Sequence, residues 1–130
     1  MKLPRGGGLN MKEKEVRRQF LARLKELHKE TGLELTILGM QTPEIGPYLM
    51  GKADALEVAS QVTRAYATVS GIRAFLIHEE ARMLDMAASK RENPYHADAQ
   101  LARICDGKAA GYMAAMCLLS ACREEVKSND

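Results

Sequence analysis

The feature that most constrains this chain is a stretch at residues 53–88 in which apolar residues recur in alternating steps of three and four. Its thirty-six residues include no proline and one glycine, Gly71. This spacing is typical of one face of an α-helix, so it predicts a helix about 54 Å long at 1.5 Å per residue. Ser70 and Gly71 leave two alternatives open, a kink in one helix or two successive helices. The stripe consists of Ala55, Val58, Val62, Ala65, Val69, Ile72, Leu76, Glu79, Met83 and Met86.

Residues 95–127 show a second apolar pattern of helical period, and Pro94 suits the first turn of a helix that Asn93 caps. A corner there predicts that the two long helices form an antiparallel hairpin. The segment 109–122 is apolar on all sides, which is typical of a helix that is buried all round. Small residues on this helix would let another helix approach closely. They are Gly107, Ala110, Gly111, Ala114 and Ala115.

The chain before the central stretch divides into four segments. Residues 1–9 contain three consecutive glycines and predict a flexible arm. Residues 11–31 predict an amphipathic helix that ends at Gly32. The run LELTIL, residues 33–38, mixes β-branched and apolar residues in near alternation and predicts a short strand. Residues 40–51 contain two prolines and two glycines and predict a structured loop.

These patterns predict a mainly all-α fold, a helical bundle built on a long central helix and an antiparallel C-terminal helix hairpin, with at most one short strand. We expect residues 10–130 to form one helical domain after the arm at residues 1–9. Hydrophobic residues make up 46% of the chain and charged residues 28%, a balance that is ordinary for a folded protein.

The sequence also bears on the compartment. The longest uncharged apolar run, residues 109–122, has fourteen residues, fewer than the roughly 20 of a membrane helix. The early glycines stand where a signal peptide needs an apolar core. Three cysteines at spacings that match neither a disulfide framework nor a zinc site favour a reducing environment. We therefore expect a cytoplasmic protein that does not enter a membrane.

Three features predict a homo-oligomer, most simply a symmetric dimer. The central helix is longer than the remaining chain can cover, the segment 109–122 is apolar on all sides, and LELTIL has no partner strand in the sequence. Each feature has another explanation if taken alone. A break at Gly71, burial under the N-terminal helix and an isolated extended segment would account for them one by one.

Positive charge is concentrated at the N-terminal end. Residues 1–30 hold nine Lys or Arg against four Glu, whereas the remaining hundred residues hold ten against thirteen Asp or Glu. A basic helix of this kind predicts possible contacts with nucleic-acid phosphates. The interleaved glutamates fit equally well a solvated helix face with intrahelical ion pairs. The residues that would contact nucleic acid are Lys12, Lys14, Arg17, Arg18 and Lys25.

Glu79 is the single charged residue on the central stripe, and the hairpin register places Lys108 within about one turn of it. One interpretation is a cross-helix ion pair that fixes the register of the hairpin. The other is a pocket for a small anionic ligand. The residues that would line this pocket are Arg73, His78, Glu79, Lys108 and Tyr112.

Sequence signals of catalysis and of metal binding are missing. The chain has no HExxH, no Glu-x-x-His, no CxxC and no glycine-rich phosphate loop. Cys117 and Cys122, five residues apart in an apolar helix, are expected to be small core residues. We therefore expect no enzyme activity, no catalytic residues, no metal and no cofactor.

The tetrapeptide Gly111-Tyr112-Met113-Ala114, late in a hairpin helix, resembles a stretch of small phage-encoded helical proteins. Some members of that group sequester cyclic-nucleotide signals of host immunity, so the resemblance implies a site for a small anionic ligand. It covers one helix of the chain.

The function we expect is that of a non-enzymatic binding protein, a small helical homo-oligomer that docks on or inhibits a macromolecular partner, most simply a protein. The first alternative is a phage-type sequestering protein that binds a small anion such as a cyclic nucleotide. The second alternative is an accessory protein that binds nucleic acid through the basic N-terminal helix.

Overall fold

The computed structural model describes residues 11–66, 68–93 and 96–128, which form four α-helices. The predicted arm at residues 1–9 and the predicted role of Pro94 lie outside the described residues. Within the described ranges no strand occurs, so the predicted helical bundle with its C-terminal helix hairpin is confirmed. The helices are α1 (Met11–Leu38), α2 (Ile45–Ala65), α3 (Val69–Arg91) and α4 (His96–Ser128).

The predicted continuous central helix is wrong, and the alternative of two helices is right. The backbone of Tyr66 is extended and ends α2, and α3 begins at Val69. Thr68 caps the new helix, since its Oγ1 accepts the N–H of Gly71 at 3.1 Å. A carboxylate oxygen of Glu13 in α1 accepts the N–H of Val69, also at 3.1 Å. Gly71 is therefore part of a capped first turn rather than a kink.

The predicted strand LELTIL is wrong, because α1 continues through Gly32 to Leu38. One glycine inside a helix costs about 1 kcal/mol relative to alanine, which a long helix with a packed face tolerates. The hydroxyl of Thr31 donates to the carbonyl of Leu27, and that of Thr36 donates to the carbonyl of Gly32. These hydroxyls are satisfied within the helix, although the same residue type favours strands elsewhere.

The predicted loop at residues 40–51 is also shorter than expected. Only residues 39–44 connect α1 to α2, which begins at Ile45. Pro47 lies in the first turn of α2, where the backbone N–H has no partner within the helix and its absence is tolerated. Proline is therefore no signal of a loop at this position.

Helix α4 lies at the centre of the bundle. Helix α2 packs along one side of it and α3 along another, whereas α2 and α3 hardly touch each other. Helix α1 covers α2 and the C-terminal part of α4. The largest fully buried apolar side chains come from all four helices, and they are Phe20, Leu24, Leu56, Ile72, Leu76 and Leu119. Helix α3 is consequently an edge helix, held mainly by α4.

Glycines bring α2 and α4 into backbone contact. A Cβ atom on Gly107 would overlap the carbonyl oxygen of Tyr48, and one on Gly51 would overlap that of Ile104. A Cβ on Gly111 would lie 2.7 Å from the Cβ of Ala55. Two of the small residues predicted to permit close helix packing, Gly107 and Gly111, do so here within one chain, and the two helices run in the same direction.

The fold bears on each of the three sequence features that predicted a homo-oligomer. The central helix is broken, LELTIL is helical, and α4 meets the other three helices of its own chain. The expectation that the segment 109–122 is buried on all sides is wrong, because Met113 and Cys117 are exposed on one side of α4. Ala115 is fully buried in that intrachain core, so it is no part of a subunit interface. No helix in the described part of the chain has both the length and the apolar character that crossing a membrane requires.

Candidate functional site

The structure brings together part of the predicted ligand pocket. Glu79 lies on α3, and its side chain is only 13% exposed. Its carboxylate accepts two hydrogen bonds from Arg82, one from Nη2 at 2.7 Å and one from Nε at 3.1 Å. Lys108 and His78 act on the same carboxylate through space. Glu79 is therefore the centre of a charged cluster between α3 and α4.

The predicted ion pair between Glu79 and Lys108 is replaced by the pair between Glu79 and Arg82. Arg82 is three residues further along the same helix, and its planar fork matches a carboxylate. The hydrogen bonds from Arg82 lower the pKa of Glu79 below its ordinary value of 4.5, burial opposes that shift, and the charge of Lys108 is the smallest contribution. Lys108 itself is half-buried.

Tyr112 forms the buried wall of this cluster. It is 4% exposed, and burial is the main reason why the pKa of its hydroxyl is raised above 10.0. The carboxylates of Glu79 and Asp54 raise that pKa further, whereas the charge of Arg82 lowers it. Asp54 belongs to α2, so three helices contribute to the cluster.

Aromatic rings extend from Tyr112 towards the α2–α3 connection. The ring of Phe75 meets that of Tyr112 edge to face, with 6.5 Å between centroids, and the ring of Tyr66 lies 6.2 Å from Phe75. Contacts of this geometry are favourable beyond the area they bury. The sequence contains six Phe and Tyr residues, and three of them meet here.

Sequence reasoning named Arg82 as a further residue that could join this pocket, but it missed two members of the cluster, Phe75 and Asp54. Phe75 was visible as an apolar residue on the otherwise polar side of the central stretch. Asp54 carried no signal, because its position depends on how α2 packs on α4. Of the predicted residues, Arg73 is exposed on α3, and no described contact links it to the cluster.

Three of the five predicted nucleic-acid residues share one face of α1, and the other two lie apart from it. Lys14, Arg18 and Lys25 are exposed on α1, and Arg18 is paired with Glu15. Arg17 turns inwards, where its Nη2 donates to the carbonyl of Thr63 at 2.6 Å. Lys12 lines a cleft of about 360 Å³ at the junction of α1, α3 and α4.

The cysteines differ in burial from what was expected. Cys122 is fully buried, as predicted for a core residue, but Cys117 is exposed on α4, because that side of the helix faces away from α2 and α3. Burial raises the pKa of the Cys122 thiol. Within the described ranges, no group of three His, Cys, Asp or Glu side chains is arranged to hold a metal ion.

A second candidate surface is the outward face of α3. Five of its residues recur in steps of three, four, three and four over about 21 Å of helix, and all five are exposed. Ile77 is 42% exposed and Leu84 48%. We call this stripe the α3 seam, and it consists of Ala74, Ile77, Ala81, Leu84 and Ala88.

Charged residues border the α3 seam on both sides. Arg73 and Glu80 precede the first and third seam residues, whereas His78 and Asp85 follow the second and fourth. Sequence reasoning missed the seam because three of its five residues are alanine, which makes it a weaker apolar signal than the inner stripe of the same helix. The alternating step of three and four was equally visible at these five positions.

No protein-family model, curated protein or solved structure matches this chain.

Proposed function

We propose that this protein is a non-catalytic binding protein that docks through the α3 seam on a helix of a protein chain. The observation that carries the proposal is the row of five exposed apolar residues. A continuous exposed apolar surface with a polar border is typical of a protein-interaction site. Steps of three and four are the spacing with which one helix packs along another in a coiled coil.

The position of α3 supports this proposal. Helix α3 is an edge helix that packs mainly on α4, and all five seam residues are exposed within the described part of the chain. Its inner face is already used, since Val69, Ile72, Leu76, Met83 and Ala87 are buried. The α3 seam therefore contributes little to the stability of the single chain, and contact with a partner would bury it.

The test compares three baits in extracts of the native cell. They are the wild type, a double variant with Ile77→Glu and Leu84→Glu, and the control Ile37→Glu. Ile37 is 66% exposed but lies on α1, so it matches the chemical change without touching α3. We expect the wild type and the control to retain a protein that the double variant loses, and purified components to reproduce that difference. Equal retention by all three baits would refute docking through α3.

The charged cluster favours a second candidate function, the sequestration of a small anion. Arg82 pairs with the carboxylate of Glu79, and Lys108 and His78 act on that carboxylate through space, beside the buried ring of Tyr112. A phosphate group could pair with Lys108, for which no hydrogen-bond or ion-pair partner is found among the described residues, while a base stacks on an aromatic ring.

Calorimetry with cyclic AMP, AMP and inorganic phosphate tests this second candidate. Binding by the wild type should be lost in Lys108→Met and kept in Lys90→Met, which removes a lysine of α3 outside the cluster. Failure of all three compounds to bind, or equal binding by both variants, would argue against a phosphate-containing ligand at this cluster.

A further inference from the structure

We propose that the occupant of the α3 seam is the same seam of a second copy of this chain, with the two α3 helices antiparallel. This inference rests on the proposed function and names its partner. It places the subunit interface at the edge of the bundle, away from Ala114 and Ala115, where the apolar sequence of α4 had suggested it.

The seam is complementary to itself in size. Alanine occupies one set of positions, Ala74, Ala81 and Ala88, and large residues occupy the other, Ile77 and Leu84. In an antiparallel pair of helices each position of the first set faces one of the second set. With Ala81 opposite the partner's Leu84, Ile77 lies opposite the partner's Ala88, so large side chains meet small ones in the four central contacts, while Ala74 lies opposite the partner's Arg91 at either end.

The same register also pairs a hydrogen-bond donor with an acceptor at the border of the seam. His78 and the partner's Asp85 then lie on the same edge, about 3 Å apart along the helix axis at 1.5 Å per residue. The two-fold axis repeats this pair, so an imidazole N–H donates to a carboxylate on both halves of the interface. Both groups are exposed in the single chain.

Other arrangements of the two helices are less favourable. A parallel pair places Glu80 beside the partner's Asp85, which brings like charges together. A parallel pair also places each alanine of the seam opposite the same alanine of the partner, which leaves gaps between the two helices. An antiparallel pair shifted by one layer, with Ile77 opposite the partner's Ala81, brings Glu80 close to its own symmetry copy.

The test of self-association is light scattering and sedimentation of the purified full chain over a range of concentrations. We expect the wild type to approach twice 14.4 kDa. Leu84→Glu places two charges in the apolar interface and should weaken the dimer about 100-fold or more. Ile37→Glu should dimerise like the wild type, and circular dichroism should be unchanged in both variants because both residues are exposed.

Charge exchange tests the register. His78→Asp sets an aspartate against the partner's Asp85 and should weaken the dimer about 10-fold. The double variant His78→Asp with Asp85→His exchanges the two groups and should restore the affinity. A dimer that Leu84→Glu dissociates but that the exchange does not restore would overturn the antiparallel register.

The outcomes also separate this inference from the proposed function. A wild type that stays at 14.4 kDa at the highest attainable concentration overturns self-association, while docking on a different protein is still measured by the three baits. A dimer that persists in Leu84→Glu overturns self-association through the seam. If the baits also retain the same proteins, docking through α3 fails as well.

Discussion

Glu79 stays charged in a half-closed site because Arg82 supplies two hydrogen bonds from the same helix. Since its pKa is lower in the folded chain than its ordinary 4.5, the folded state binds the proton less tightly than the unfolded state. The stabilisation is therefore complete above pH 4.5 and is lost as the pH falls through the folded pKa.

We expect Glu79→Gln to lower the free energy of unfolding at pH 7 and to flatten its decline below pH 4.5. Urea unfolding at pH 7 and at several values between 5 and 3 measures both. Glu15→Gln is the matched control, since Arg18 and Gln19 lower the pKa of Glu15 to about 2 but its ion pair is solvent-exposed. Added salt should weaken the effect of Glu15→Gln much more than that of Glu79→Gln. Equal salt sensitivity would mean that Glu79 is solvated.

The partner of Glu79 is a second prediction at the level of residues. Arg82→Met removes both close hydrogen bonds and should destabilise the chain by about 1–3 kcal/mol. Lys108→Met should destabilise it by less than about 1 kcal/mol, because Lys108 acts on Glu79 only through space. Urea unfolding of both variants at pH 7 decides between the two partners. A larger loss for Lys108→Met would restore the cross-helix pair expected from the sequence.

Helix by helix, the sequence predicted more of the fold than it did of the site. Periodicity located α4 and the inner face of α3, because burial of one stripe leaves a regular trace in a sequence. The extension of α1 through LELTIL could not be read in the same way. Local preference for a strand there is outweighed by the continuation of a helix that is already packed through Phe20 and Leu24.

Glycine has opposite effects in two of the helices. Gly107→Ala would drive a Cβ into the backbone of α2, so we expect a loss of about 3 kcal/mol or failure to fold. Gly32→Ala meets nothing within 4 Å and lies inside α1, so it should stabilise the chain by about 0.5–1 kcal/mol. Thermal unfolding of the two variants measures whether each substitution lowers or raises the stability of the chain. A stable Gly107→Ala would contradict close contact of α2 with α4, and a destabilised Gly32→Ala would contradict a continuous α1.

At the level of the whole molecule, the sequence could not predict which helices pack side by side. The predicted hairpin accounts for the packing of α3 on α4, but it does not predict that α2 packs along another side of α4 and hardly touches α3. The break at Tyr66 permits this, because α3 can then leave the line of α2 and pack on another side of α4. Asp54 and Glu79, distant along the chain, consequently act on the same tyrosine, a relationship that no spacing in the sequence reveals.

The packing of the helices predicts which parts of the backbone open to solvent first. Helix α4 packs on three helices, α3 mainly on one, and the last two turns of α1 expose Leu33 and Ile37. Because exchange of backbone amides reports local opening, hydrogen exchange should be slowest in residues 105–119, faster in α3 and fastest in residues 32–38. Mass spectrometry of exchange in dilute protein, where single chains predominate, measures the order. Protection of α3 equal to that of α4 under those conditions would show that α3 is no edge helix, and protection of α3 that rises with concentration would locate the subunit contact on it.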